Sequence, residues 1–181
     1  MQARDAGSRQ ACNLQIFKAC GVACHDIVTL LSNAAARTLN SHSMDRANIE
    51  YSHSRNIPVE QLVKLYEAVA WSSAEKPEAL QCAMAACHSV ITAWDGNTLV
   101  GLANAISDGH LVVYYPHLLV HPQYQRRGIG RQLMRVLMAR YDGFHQQVLI
   151  ADGQVLDFYR KCGFVRAGKT EPMWIYSGHD H

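Results

Sequence analysis

One stretch of this sequence has the residue types and spacing to hold a charged group: Gln125-Arg126-Arg127-Gly128-Ile129-Gly130-Arg131. Its arginines supply positive charge, and Gly128 and Gly130 let a ligand approach the backbone closely. Leu118-Leu119-Val120 precedes it as an apolar run, and a helical pattern follows to about Tyr141. Free amides at a helix start point outward, and the helix dipole favours negative charge there. Strand, basic glycine turn and helix together suit a pyrophosphate. The competing reading is an ordinary helix start with solvated arginines. A second group of reactive types, Tyr114, Tyr115, His117 and His121, surrounds Pro116. His117 has the unperturbed pKa for proton transfer near neutrality, although a packed, hydrogen-bonded histidine is the commoner use of such a residue. Asp152 has two readings. It caps a helix, or it orients a water or draws a proton from a substrate.

The elements that must position these groups follow from hydrophobic periodicity. Ile49–Ser52 reads as a short strand. Pro58 sits at a helix start, where its missing N–H costs nothing, and Val59, Leu62, Val63, Tyr66 and Val69 repeat at helical spacing. Trp71 to Lys76 reads as a loop, and Pro77 opens a second helix with Leu80, Ala83, Met84 and Cys87 on one face. Ser89–Trp94 and Thr98–Ser107 are β-rich runs joined by Asp95-Gly96-Asn97, a hairpin signal. Leu111–Val120 reads as one long central strand, with Pro116 implying a bulge or splay because proline cannot donate to a ladder. A strand that parts from its neighbour frees backbone amides for a ligand. Gln147–Ala151 is a further strand. A helix from Asp152 carries Val155, Phe158, Tyr159 and Cys162 and is closed by Gly163 as a left-handed cap. Phe164–Ala167 and Met173–Tyr176 read as two final strands. The order is β-α-α-β-β-β-α-β-α-β-β, an α/β fold with a mixed sheet flanked by helices.

Composition bounds the function classes. The chain has 181 residues, 49% hydrophobic and 18% charged, which suits an ordinary packed core. A net charge of +2 argues against nucleic acid and anionic membrane as partners. No run approaches a membrane span. Cys12, Cys20, Cys24, Cys82, Cys87 and Cys162 have neither zinc-site nor disulfide-framework spacing, so we expect no metal and a reducing, cytoplasmic setting. Residues 1–46 lack sustained periodicity and read as an N-terminal extension, with a short helix over 26–39 and Met44 as an alternative start; residues 47–178 hold the rest.

Two separated motifs agree with one another. The first is Leu118-Leu119-Val120-His121-Pro122-x-x-Gln125-x-x-Gly128-x-Gly130. The second is Asp152-x-x-Val155-x-x-Phe158-Tyr159-x-x-Cys162-Gly163-Phe164. Together they resemble the GNAT superfamily of N-acetyltransferases, which use acetyl-coenzyme A, over roughly residues 48–176. The resemblance implies a sheet splayed between two parallel strands, here Leu111–Val120 and Gln147–Ala151, with coenzyme A in the opening. It implies that backbone groups of Leu118, Leu119 and Val120 hold the pantetheine arm. Gln125, Arg126, Arg127, Gly128, Ile129, Gly130 and Arg131 would hold the pyrophosphate. Asp152 and Val155 depart from the family's usual Asn and Ala. In these residues the second motif is similar to a branch that includes plant arylalkylamine acetyltransferases.

The chemistry implied is direct attack of a primary amine on the thioester, with no metal. A departing thiolate benefits from a proton donor, and the family places a tyrosine where Tyr159 stands; packing is the competing use of that ring. An amine must lose a proton before it attacks, for which His117, Asp152 or water is available. A backbone N–H near Leu118 or Leu119 would polarise the carbonyl. Tyr66 and Trp71 would line the acceptor side. The acceptor, a small-molecule amine or a peptide amine, is open, and so is a homodimer. The rival reading is a non-catalytic acyl-CoA-binding sensor.

Overall fold

The computed structural model describes residues 48–179. The extension over 1–46, its helix over 26–39, Cys12, Cys20, Cys24 and Met44 lie outside the described residues.

A six-stranded mixed sheet carries the fold. Strands β1 (Ile49–Ser52), β2 (Ser89–Asp95) and β3 (Thr98–Ser107) pair antiparallel in that order. The β2–β3 hairpin turns through Gly96, whose φ of +56° is the left-handed conformation that such a tight turn demands. Helices α1 (Val59–Ala68) and α2 (Pro77–Ala86) cover one face, joined by a 3-10 turn over Ser72–Glu75 where the sequence suggested a plain loop. Leu62, Leu65 and Tyr66 of α1 and Leu80 and Met84 of α2 are buried there against Leu99, Leu102 and Leu119. Each such aliphatic side chain contributes about 1.5–3 kcal/mol of burial.

The opposite face belongs to α3 (Ile129–Met138), which ends in a 3-10 turn over Ala139–Tyr141. Ile129, Leu133, Met134 and Leu137 form its buried stripe. The helix reaches the sheet closely at Gly101, where an added Cβ would lie 3.1 Å from Leu133 Cδ1 and 3.2 Å from Leu119 O. Absence of a side chain at Gly101 therefore lets the start of α3 sit directly on the strands.

The expected long strand Leu111–Val120 is two strands, β4 (Val112–Tyr114) and β5 (Leu118–Val120). Both pair with β3, Tyr114 opposite Ile106 and Leu118 opposite Ala103. Tyr115-Pro116-His117 thus adds one residue relative to β3, the bulge that Pro116 led us to expect. Strand β4 alone pairs with the parallel β6 (Gln146–Val148). Tyr115 N–H donates to Val148 O at 2.9 Å, and beyond this bond β5 pairs only with β3. The sheet parts at that point.

After β6, Asp152 starts a 3-10 turn (Gly153–Val155) that runs into α4 (Leu156–Lys161). Gly163, at φ +98°, closes it, with Phe164 N–H reaching back to Tyr159 O at 3.1 Å.

Two expectations fail beyond this helix. Neither Phe164–Ala167 nor Met173–Tyr176 forms a strand. Alternation makes a strand only where one face can be buried and a partner edge exists. Here Val165, Met173 and Ile175 are 86%, 92% and 105% exposed. The chain instead turns at Gly168 and runs back so that Tyr176 Oη lies 3.2 Å from Ser72 Oγ.

Candidate active site

The bulge directs the backbone of β5 into the gap. His121 N–H donates to Val100 O and Asn104 N–H to His117 O, at 2.9 and 3.2 Å. An antiparallel ladder alternates, so the N–H of Leu119 faces Leu102, and those of Leu118 and Val120 face away from β3. Of the two amides named from the sequence as carbonyl-polarising donors, the register directs Leu118 to the gap. Val120 O already accepts a bond from Gln125 Nε2 at 3.1 Å, which fastens the basic turn to the strand.

That turn is contorted in a way that gathers amides. Arg126 has φ +61° and Gly128 φ +86°. Left-handed residues in such a turn make successive N–H groups converge on one concavity, a geometry that binds anions. For arginine the conformation costs about 1–2 kcal/mol. Gln132 N–H bonds Gly128 O at 3.0 Å, closing the first helical turn, so the amides of Ile129, Gly130 and Arg131 precede the ladder and open outward. Gly130 faces both Val120 and Phe158; an added Cβ would lie 3.5 and 3.6 Å from them. Phe158 thereby joins the two sequence motifs in space. Arg127 stacks over the Tyr124 ring at 5.0 Å, and Tyr124 Oη donates to Asp95 Oδ2 at 2.7 Å. Reading the sequence missed this brace, because Asp95 lies in a distant hairpin.

Tyr159 lies on α4. Its ring is edge-on to Phe164 at 6.1 Å, and Phe164 is edge-on to Tyr115 at 6.0 Å. Burial, with a smaller contribution from Cys162, pushes its hydroxyl up to about 12. It therefore stays protonated at neutral pH and can donate. Asp152 is exposed, and its Oδ1 accepts from Gln154 N–H at 3.0 Å, so it caps the turn that leads into the helix bearing Tyr159.

His117 lies on the face covered by α1. Its Nδ1 is 2.7 Å from Tyr66 Oη, and its ring is edge-on to Trp71 at 5.2 Å and Tyr66 at 5.6 Å. Desolvation pushes its pKa down to about 4. The imidazole is neutral at pH 7 and is a weak proton acceptor. Tyr66 and Trp71, expected on the acceptor side, are thus tied to the residue just before Leu118. A separate groove of about 400 Å³, lined by Arg55, Ile57, Gln81 and Cys82, lies between the segment before α1 and helix α2, and contains none of these groups.

The chain thus combines a sheet parted at a bulge, an amide-rich helix start and a tyrosine on the helix after β6. Comparison with known proteins gives the family. Residues 86–166 match the model of the acetyltransferase (GNAT) domain. The chain is 36% identical over 110 residues to the N-alpha-acetyltransferase RimI of Mycobacterium tuberculosis, covering 58% of this chain and 70% of that one. It is 30% identical over 127 residues to an uncharacterized N-acetyltransferase, ycf52, of Porphyra purpurea, covering 66% and 71%. A GNAT family acetyltransferase from Streptococcus pneumoniae superposes with a TM-score of 0.63 at 30% identity, over 71% of this chain and 98% of that one. The chain belongs to the GNAT superfamily of N-acetyltransferases. Among the described residues no cluster of three or more His, Cys, Asp or Glu could hold a metal ion, and no helix is long and apolar enough to cross a membrane.

Proposed function

We propose that the chain transfers an acetyl group from acetyl-coenzyme A to a primary amine by direct attack within a ternary complex. The observation that carries this reading is the bulge. It separates β5 from β6 and turns the Leu118 N–H away from β3, on the side where β6 no longer pairs. The outward amides of Ile129, Gly130 and Arg131, with Gln125, Arg126, Arg127 and Gly128 behind them, suit a pyrophosphate. The opened edge of β5, Leu118 to Val120, suits the amide groups of a pantetheine arm.

In the reaction the neutral amine nitrogen bonds to the thioester carbon and the carbonyl π pair moves onto oxygen. Leu118 N–H stabilises that oxygen as charge develops there. Collapse restores the C=O, breaks the C–S bond and leaves the electron pair on sulfur, where the Tyr159 hydroxyl donates a hydrogen bond. The proton shed by the amine goes to water. Holding both reactants in one cleft supplies much of the rate. His117 enters the proposal as a neutral hydrogen-bonding group on the acceptor side; its low pKa and packing against Tyr66 and Trp71 weigh against a proton sink for an ammonium. Asp152 enters as the cap that aims Tyr159. The free thiols of Cys82, Cys87 and Cys162 fit a reducing compartment.

The test is thiol release from acetyl-coenzyme A with a panel of small amines and peptide N-termini. Release that depends on amine supports the reading. Coenzyme A binding without release from any acceptor leaves a sensor module instead, and failure to bind coenzyme A refutes both.

A further inference from the structure

Asn104 is a buried amide in the middle of an apolar strand, Leu102-Ala103-Asn104-Ala105-Ile106, and is 1% exposed. A polar side chain in such a position costs stability unless it is fully bonded. Two of its three bonds go to the bulge. Asn104 N–H donates to His117 O at 3.2 Å. His117 N–H, which a regular ladder would direct at the Asn104 carbonyl, donates instead to the Asn104 side-chain Oδ1 at 3.1 Å. Nδ2 donates to Cys87 Sγ at 3.1 Å. Both backbone groups of His117 therefore end on one residue, and Pro116, directly before it, has no N–H to offer. The next amide along the chain is that of Leu118.

We propose that Asn104 is a positioning residue: its side chain clamps His117 N–H, holds the one-residue bulge in place, and so aims the Leu118 N–H into the cleft. This rests on the acetyl-transfer reading, but the clamp itself is measurable without it. The contact with Cys87 is a weak one, since a thiol sulfur is a poor acceptor. The structure thus keeps a buried amide for the Oδ1 bond, in a strand whose other inward side chains are apolar.

The experiment compares wild type, Asn104→Leu and Cys87→Ala. Asn104→Leu keeps the branched shape with somewhat larger end groups and removes the acceptor. Cys87→Ala removes only the partner of Nδ2. Amide hydrogen exchange is followed at His117, Leu118 and Leu102 alongside steady-state kinetics. In Asn104→Leu we expect His117 N–H to lose protection while Leu102, inside the regular ladder, keeps it. We expect kcat to fall by ~10- to 100-fold, below the full ~100- to 1000-fold of a deleted oxyanion donor because the amide is misaimed rather than removed. KM for acetyl-coenzyme A should change little, since the basic turn is untouched. Cys87→Ala should retain both protection and kcat. Unchanged His117 protection in Asn104→Leu overturns the clamp. Equal kcat losses in Asn104→Leu and Cys87→Ala also overturn it, because they would mark a general packing effect. Loss of protection with unchanged kcat overturns the link to the Leu118 amide. If Asn104→Leu does not fold, Asn104→Ala, which removes the acceptor and leaves space, reads the same quantities. Wild-type protein that shows the clamp by exchange but releases no thiol with any amine refutes the activity and not the clamp.

Discussion

Replacing Tyr159 by phenylalanine isolates one oxygen atom. The hydroxyl is held at about 12 by burial, whereas a thiol leaving group lies near ~8.5. Complete proton transfer from tyrosine to thiolate is then uphill by roughly 3.5 units, about 5 kcal/mol. Tyr159 should therefore remain protonated and act by donating a hydrogen bond to the developing thiolate. A hydrogen bond to a charged group contributes about 1.5–3 kcal/mol, so the loss in kcat should be ~10- to 150-fold. Stability should barely change, because the ring contacts with Phe158 and Phe164 survive in the variant. The assay is initial-rate thiol release at saturating amine, with acetyl-coenzyme A affinity measured separately by calorimetry. The reasoning also fixes the pH profile: wild type and variant should run parallel up to about pH 10, because the tyrosine does not titrate below that. A kcat within ~2-fold of wild type, less than 0.5 kcal/mol, refutes the role. A basic limb near pH 8 that vanishes in Tyr159→Phe refutes the hydrogen-bond mechanism in favour of a titrating acid.

Two further outcomes are expected. Burial lowers the His117 pKa from 6.5 to about 4, so the fold prefers neutral imidazole; the corresponding stability is present above pH 6.5 and is lost as pH falls through this window, by about 3 kcal/mol at most. Urea midpoints from pH 7 to 4 should fall less steeply in His117→Gln, and equal slopes would show that His117 titrates normally. Gly130→Ala should separate stability from binding. Its Cβ meets only ordinary contacts with Val120 and Phe158, and alanine in a helix gains up to ~1 kcal/mol over glycine, so the melting temperature should hold or rise. The same methyl group crowds the outward amides, so KM for acetyl-coenzyme A should rise several-fold. An unchanged KM would remove Gly130 from the phosphate-binding surface.

Much of the fold was legible where local signals and burial agree. Pro58 and Pro77 stand at helix starts, Gly163 closes α4, and Asp95-Gly96-Asn97 makes the hairpin, because each residue's own backbone preference decides its conformation. The bulge was legible from Pro116 alone. Its consequence was not, since the bonds that fix it come from Asn104, a dozen positions upstream. An asparagine between alanines in an apolar strand was the available signal. The final strands failed for the opposite reason: Met173-Trp174-Ile175-Tyr176 has every local property of a strand, but pairing is a property of two segments, and neighbours outside the run decide it. The same limit applies to the Tyr124–Asp95 brace and to the Tyr66–His117 contact, where side chains far apart in sequence meet.

The extra residue at the bulge also acts as a change of parity. Side chains alternate along a strand, so an unbroken run would place Val113, Tyr115, His117 and Leu119 on one face. In this protein Val113 and Tyr115 belong to the core under α3, whereas Leu119 belongs to the core under α1, and His117 meets Tyr66 and Trp71 there. The strand is read in one frame before Pro116 and in the other after it. Deleting a single residue between Tyr114 and Leu118 would restore the regular ladder: Leu118 would still lie opposite Ala103, so every side chain beyond would keep its face, but the bulge would be gone. Point changes in this segment alter one contact each, but the loss of one residue would remove the bulge at which the sheet parts. The spacing from Tyr114 to Leu118 is therefore under a stricter constraint than the identity of any residue within it.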